Sequence, residues 1–358
     1  MLRYLASSRW HATLADRAVL SLTGADSRKL LQGLTTANAD ELAAGTPLYT
    51  GFLNAQGRVL ATGFLLPASE DGVVIDTHVG SAPLLLKHLK RYKLRSKVAI
   101  ADRSAELAVV AACGTAVPLE PADGVALPGD GGAWRDPRLR CLGWRGVAPR
   151  ADGGDAQPPA ELLGGAGGGE GSSEAAPAAL HALCEAILGV GDGPAYLPPT
   201  EALPLESNLE VLGGVAFDKG CYLGQELTAR TQSRGVTRKR MAPLVSASVA
   251  AALGPPPPED VLPAALSHLP AAERALAAAL PVEAWLEAQP GGGTPEGAGS
   301  ALQDAAGKPA GKLRLFDSAL GLGAALCRLE AMGGGVLTAE EAGEVVPLRP
   351  SWWPAGVH

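Results

Sequence analysis

Residues Tyr49 to Leu66 read Y-T-G-F-L-N-A-Q-G-R-V-L-A-T-G-F-L-L. Two largely apolar runs, Tyr49 to Leu53 and Arg58 to Leu66, flank the turn residues Asn54-Ala55-Gln56-Gly57. A short polar turn ending in Gly between two such runs predicts an antiparallel hairpin. Before it, Ala18 to Leu22 is strand-like and is broken by Gly24; Asp26 is then placed to cap a helix with Leu30, Leu31 and Leu34 on one face. After it, Val73 to Ile75 reads as a strand, and Pro83 opens a helix with Leu85, Leu86 and Leu89 inside. Val98 to Ile100 and Leu107 to Ala112 read as further strands. Hairpins mixed with helices in this way predict an α+β fold rather than a doubly wound parallel sheet.

The chain has 358 residues, 30 Lys and Arg, 37 Asp and Glu, and a formal net charge of −7. That length predicts two or three structural units around a sizeable core. A net acidic chain argues against bulk nucleic-acid binding. No apolar run is long enough for a membrane-spanning helix, so no membrane association is expected. The five cysteines, Cys113, Cys141, Cys184, Cys221 and Cys327, are odd in number and far apart, and no C-x-x-C occurs. This excludes a zinc ribbon and argues for a reducing compartment. The six histidines form no H-x-x-x-H, so no protein-only metal site is expected. G-x-x-x-x-G-K-[ST], the dinucleotide fingerprint and G-x-S-x-G are all absent.

Gly and Pro, 46 and 29 residues, are unevenly spread. Residues 151–179 are Gly/Ala/Pro-rich and read as a flexible insertion, because so little apolar surface cannot offset the entropy of ordering. Residues 253–309 form a second Pro/Gly-rich insertion, which nevertheless contains a plausible helix from Ala271 to Leu280. Leu180, Leu183, Cys184, Ile187 and Leu188 are spaced for a helix, and short strands follow Gly311. A C-terminal β-barrel or sandwich over 239–358 is expected, following an N-terminal region over 16–238. Residues 1–15 hold Arg3, Ser7, Ser8 and Arg9 and no acid, which is compatible with a short organellar targeting segment. An ordinary N-terminal strand is the alternative.

The densest chemistry lies in Asp218-Lys219-Gly220-Cys221-Tyr222-Leu223-Gly224-Gln225-Glu226. A cysteine acts as nucleophile or ligand only as thiolate. In an extended segment Lys219 and Cys221 share a face, so the ammonium would favour the thiolate, and a helix beginning at Gln225 would add positive potential. Gly220 and Gly224 permit a close-approach loop. The competing reading is a small buried hydrophobe. In Pro204-Leu205-Glu206-Ser207-Asn208, a carboxylate and an amide could bind the edge of a heterocycle; equally, Asn208 could satisfy backbone groups in a turn. Two basic runs, Lys87 to Lys97 and Arg230 to Arg240, are solvated faces or anion holders. Only Tyr92 among aromatics lies inside them, which disfavours nucleic acid.

K-G-C-Y-L-G-Q-E at Lys219 to Glu226, continuing L-T-A-R-T and ending R-K-R, strongly resembles the signature of the YgfZ family. These are folate-binding relatives of the glycine-cleavage T-protein that assist iron–sulfur protein maturation. Blocks at Leu31 to Thr36, Phe52 to Arg58, Tyr92 to Lys97, Asp136 to Arg138, Leu142 to Arg145, Pro204 to Asn208 and Trp352 to Pro354 look like family blocks too. After Thr36 the chain departs from the family pattern with Ala37-Asn38-Ala39-Asp40. The resemblance implies two intertwined α/β units and a C-terminal β-barrel around a folate-sized channel. It implies Cys221 and Lys219 as reactive residues, and tetrahydrofolate contacts from Glu206, Asn208, Tyr222, Gln225, Glu226, Asn54, Arg58 and Arg230. A [4Fe–4S] cluster is implied only in transit, with A-type carriers and client enzymes as partners. The mitochondrial matrix is the expected site, with the plastid as alternative. The leading reading is a folate-dependent assembly factor; the alternatives are a tetrahydrofolate-dependent aminomethyltransferase or demethylase, and a non-catalytic scaffold.

Overall fold

A computed structural model describes residues 9–44, 46–68, 72–114, 125–126, 132–150, 156, 173–255, 264–288, 299–333 and 335–357. The predicted hairpin forms from β3 (Leu48–Leu53) and β4 (Val59–Pro67). With β5 (Gly72–His78), β2 (Arg17–Thr23) and β6 (Ala99–Asp102) it builds an antiparallel sheet in the order β3-β4-β5-β2-β6. Helices α1 (Ser27–Gln32) and α2 (Ala82–Lys93) cover this sheet with Leu31, Leu85 and Leu89, all buried.

A second sheet has the order β11-β1-β7-β10-β9-β8, with β1 (Arg9–Leu14), β7 (Leu107–Gly114), β8 (Val125–Ala126), β9 (Gly132–Arg135), β10 (Trp144–Pro149) and β11 (Glu174–Ala175). The chain passes from β1 in one sheet to β2 in the other, so the two α/β units are intertwined, as expected. Strand β1 corrects the reading of residues 1–15 as a targeting segment. All six of its residues pair with β7 and Trp10 is fully buried, so Arg9 to Leu14 belong to the core; residues 1–8 lie outside the described part.

The C-terminal region closes a barrel in the order β12-β15-β14-β13-β16-β17, from Lys239–Ser246, Leu322–Arg328, Pro309–Asp317, Ala301–Gln303, Leu337–Ala339 and Gly343–Pro347. Most of the first insertion lies outside the described residues. Its end does not behave as a flexible segment: β11 pairs in parallel with β1, and α3 (Ala178–Leu188) begins inside it.

In the second insertion the helix expected from Ala271 to Leu280 forms, and a further helix follows it. Helices α5 (Ala271–Ala279) and α6 (Val282–Ala288), numbered after α4 (Gln225–Arg234), bury Leu276, Leu280, Val282 and Leu286 in the main core. Leucine at helical spacing inside an Ala-rich background supplies enough apolar surface to fold. Trp10 Nε1 donates to the Ala265 carbonyl at 3.0 Å and Trp352 Nε1 to the Leu188 carbonyl at 2.7 Å, which ties the inserted helices to β1 and the barrel end to α3.

Between the two sheets lies a buried ionic cluster. Arg17 contacts Asp76 at 2.6 Å and Asp192 at 2.5 Å; Arg145 contacts Asp76 at 2.8 Å; Arg138 contacts Asp136 and Glu185, each at 2.7 Å. The three guanidinium carbons stand 4.2 to 5.7 Å from the Phe64 ring centre. Their charge partners and this aromatic face offset the desolvation that burial imposes.

His181 accepts from Arg145 at 3.2 Å, and burial holds its pKa down to about 4. His88 and His268 are pushed down to about 4 by the same cause. An unfolded histidine takes up a proton near pH 6.5, whereas these resist it until about pH 4 in the fold. Their contribution is therefore complete above pH 6.5 and declines as pH falls through the window between. Melting temperature followed by fluorimetry should fall steadily from pH 6.5 to 4, and a flat profile would show that these rings are not buried neutral.

Candidate functional site

Sequence blocks that are remote along the chain meet around the loop preceding α4. The Gln225 side chain accepts from the Tyr222 N–H at 3.3 Å and closes the turn into α4. Gly224 stands just before it with φ +81°. A Cβ on Gly224 would come within 2.4 Å of the Asn54 carbonyl oxygen; one on Gly57, with φ +76°, would come within 2.9 Å of the Gly224 carbonyl oxygen. The tip of the β3–β4 hairpin and the cysteine loop therefore touch backbone to backbone, and only glycine fits at either position. Within the hairpin, Asn54 Oδ1 accepts from the Gln56 and Arg58 N–H groups at 2.9 Å and holds the turn closed.

The other side of the loop is fastened to the end of α1. Leu223 N–H donates to the Gly33 carbonyl at 3.0 Å, and Ala216 N–H to the Thr36 carbonyl at 2.9 Å. Lys219 Nζ donates to the carbonyls of Thr35 and Ala37, each at 2.7 Å, and lies 5.0 Å from the Tyr222 ring centre. Burial lowers its pKa to about 8, with Asp40 opposing the shift. The Ala37-Asn38-Ala39-Asp40 departure is braced by Gln32, which donates to Asn38 at 2.8 Å and accepts from the Ala39 N–H at 2.7 Å.

This arrangement corrects the expected pairing of Lys219 with Cys221. The segment is a bend, not a strand, so alternation does not put the two side chains on one face. Lys219 turns inward to the two carbonyls, while Cys221 is exposed. Cys113, Cys184 and Cys327 are buried, and burial raises the pKa of each thiol. Cys141, partly buried, is pushed up to about 11. Among the described cysteines, Cys221 is therefore the thiol offered to solvent.

The Pro204 to Asn208 block is zipped onto β12. Asn208, at φ +61°, donates to the Met241 carbonyl at 2.8 Å and accepts from Arg240 at 3.2 Å. Its amide is committed to the barrel, which is the turn role rather than the expected cofactor contact. Met241 N–H donates to the Glu206 carbonyl at 2.8 Å. The Glu206 carboxylate itself is half-buried and makes no hydrogen bond among the described residues. Burial raises its pKa, against the pull of Lys239, Arg58 and Arg314. Arg314 is buried, its Nε has no partner, and burial lowers its pKa. Arg58 donates to the Glu201 carbonyl at 2.8 Å, and Lys312 lies 3.6 Å from the Glu201 carboxylate.

The hairpin thus carries both halves of the site. Its tip supports the Cys221 loop, and Arg58 at its end reaches the cationic surroundings of Glu206. Glu226 and Arg230 lie elsewhere: they pair with each other on the exposed face of α4, so Arg230 does not join Arg58. Lys239 falls in the Arg230 to Arg240 run offered above as an anion holder, whereas Arg314 was not singled out and shows only as one of two cations in the strand K-L-R-L-F.

Residues 238–355 match the family described as CAF17, C-terminal beta-barrel domain. The mitochondrial iron–sulfur cluster assembly factor IBA57 homolog of Mycosarcoma maydis is 34% identical over 97% of this chain and 86% of its own length. The chain belongs to the IBA57 family of mitochondrial iron–sulfur cluster assembly factors. The homolog from Neurospora crassa is 33% identical over 93% of this chain and 73% of its own length. That from Pyricularia oryzae is 39% identical over 65% of this chain, and the match spans 56% of the longer relative. A crystal structure of the glycine cleavage system aminomethyltransferase T from Bartonella henselae has the same fold, with a TM-score of 0.64 at 13% identity over 98% of this chain and 88% of that one. Membership of a mitochondrial family favours that compartment over the plastid.

The glycine contact has a direct test. Gly57→Ala and Gly224→Ala should each destabilise the chain by roughly 1–3 kcal/mol in urea unfolding, through positive φ and backbone overlap. Gly220→Ala should change stability by less than about 0.5 kcal/mol, because no atom lies within 4 Å of its Cβ position. Equal effects at all three positions would remove the contact from the account.

Proposed function

We propose that this chain supports maturation of [4Fe–4S] proteins in the mitochondrial matrix by presenting the Cys221 thiol to a cluster in transit on a partner, with a reduced folate held beside Glu206. The observation that carries this reading is one exposed thiol on a loop braced from both sides; a half-buried carboxylate without a hydrogen bond, on the barrel side, carries the folate part of it. Loop bracing matters because a ligand or nucleophile acts only when held in place.

The residues around Glu206 fit a pterin. The pterin edge presents N–H donors, and an unpartnered carboxylate accepts them; Arg58 and Lys239 supply cations for the carboxylates of a folate tail. Bound folate would supply one-carbon carrying capacity. Glu206 would orient the ring edge, Arg314 would balance the carboxylate's charge, and Asn208 would hold the loop on the barrel. Tyr222 and Lys219 would keep Cys221 facing outward, and Asn54 would keep Arg58 at the hairpin end. Arg230 and Glu226, paired on the surface, take no part in this site.

An exposed thiol favours delivery to a partner, such as an A-type carrier or a client enzyme, over enclosed aminomethyl transfer. Cys221→Ser should leave the melting temperature within about 1 °C and abolish [4Fe–4S] enzyme activity in cells lacking the native protein. Retained activity would remove the thiol from the mechanism. Glu206→Ala should weaken tetrahydrofolate binding at least about tenfold, which is ~1.4 kcal/mol. Tetrahydrofolate should also slow alkylation of Cys221; unchanged rates would separate the folate from the thiol.

A further inference from the structure

The face formed by α2 and the residues after it carries features that the site does not use. Lys87, Lys90, Arg91, Lys93, Arg95 and Lys97 follow one another with no acidic residue between them. Lys87, Lys90 and Arg91 share the exposed face of α2, and Arg95 and Lys97 continue it beyond the helix. None of the six makes an ion pair among the described residues. Cations at a helix C-terminus complement its dipole, which accounts for Lys90, Arg91 and Lys93. That effect ends with the last turn and does not account for Arg95 and Lys97.

Leu94 stands in the middle of the strip. It is 83% exposed, the most exposed of the large hydrophobic residues described. Its backbone is at φ +47° and ψ −114°, a conformation that glycine adopts freely and leucine rarely does. A strained backbone that presents a large apolar side chain to water costs the free chain twice, and such positions concentrate where a partner is met. Beside it, Lys29, Leu30, Gly33, Tyr92 and Arg95 line a groove of about 450 Å³ together with one acid, Asp26, whose carboxylate accepts from the Lys97 N–H at 2.7 Å. Gly33 is the residue whose carbonyl accepts from Leu223, and Leu223 and Tyr92 pack on the same apolar cluster. The groove is thus one hydrogen bond from the Cys221 loop, on which Phe217 is also 46% exposed.

We propose that this face, from the end of α2 through Leu94 to the α1 groove, is the docking surface for an acidic protein. Its partner presents carboxylates to the basic strip and an apolar recess to Leu94. Identifying that protein with the carrier that brings a cluster to Cys221 rests on the function proposed above. Charge complementarity sets the choice: the chain as a whole is −7, yet this strip is uniformly positive, so it attracts an acidic surface that the remainder repels. A single protruding leucine seats in a protein pocket; nucleic acid backbones offer it none.

The test titrates the full chain against a cluster-loaded A-type carrier by calorimetry at about 50 mM and about 300 mM salt. Affinity should fall steeply with salt. Lys90→Glu with Arg91→Glu should weaken binding at least about tenfold and flatten that dependence. Leu94→Gly should weaken binding by about tenfold while raising the melting temperature by roughly 1–3 °C, since glycine relieves the backbone. A purely structural Leu94 would give the opposite thermal shift. Binding of Leu94→Gly at wild-type affinity, a lowered melting temperature, or no binding by the wild type would each overturn the proposal. So would binding to anionic vesicles or to duplex RNA that charge reversal abolishes and Leu94→Gly leaves unchanged. Cys221→Ser should dock normally, so docking and thiol chemistry fail separately.

Discussion

An ammonium group taken out of water must find acceptors, and Lys219 finds them in the carbonyls of Thr35 and Ala37, each at 2.7 Å. Those carbonyls lie where the chain leaves α1, so the contact draws the cysteine loop onto the first sheet's covering layer. The Leu223 and Ala216 amides are aligned by the same approach. Once the lysine points inward, the bend over Phe217 to Lys219 leaves Cys221 exposed. The exposure of the thiol follows from the satisfaction of its neighbour.

The hairpin meets this loop from the other side, and there the constraint is volume. Gly57 and Gly224 leave no room for a Cβ. Their contact fixes where the hairpin tip stands and therefore where Arg58 emerges. The hairpin strands owe their own position to the ionic cluster behind them: Phe64 of β4 is flanked by Arg17, Arg138 and Arg145, whose carboxylate partners come from β5, the residue after β9, α3 and the segment after it. A buried network of this kind fixes the relative setting of two sheets, because any slip leaves a charge without its partner.

Function and architecture divide along these lines. The barrel supplies Lys239 and Arg314 beside Glu206, while the sheets supply the braced loop with Cys221. The hairpin is the mechanical link between them. In the IBA57 family setting, the chain offers a thiol at its surface and, on the barrel side, a half-buried carboxylate among cations.

Local features were legible in the sequence wherever short-range physics decides. The hairpin, the helix opened by Pro83, the leucine spacing of α3 and α5, the start of α4 at Gln225 and the strands after Gly311 follow from turn chemistry and periodicity. The cysteine motif and its family likeness were likewise readable from adjacent residues. The contacts of Arg138 with Glu185 and of Arg145 with Asp76, and the inward turn of Lys219, were not. Each depends on which group lies across space, and spacing along a chain carries no information about that. The barrel's claim on Asn208 is of the same kind, as is the burial of residues 264–288 against β1 and α3, which lie far away in sequence. Periodicity fixes what a segment can bury; the partner it is buried against, and so the direction of every polar side chain at the boundary, is settled by the fold.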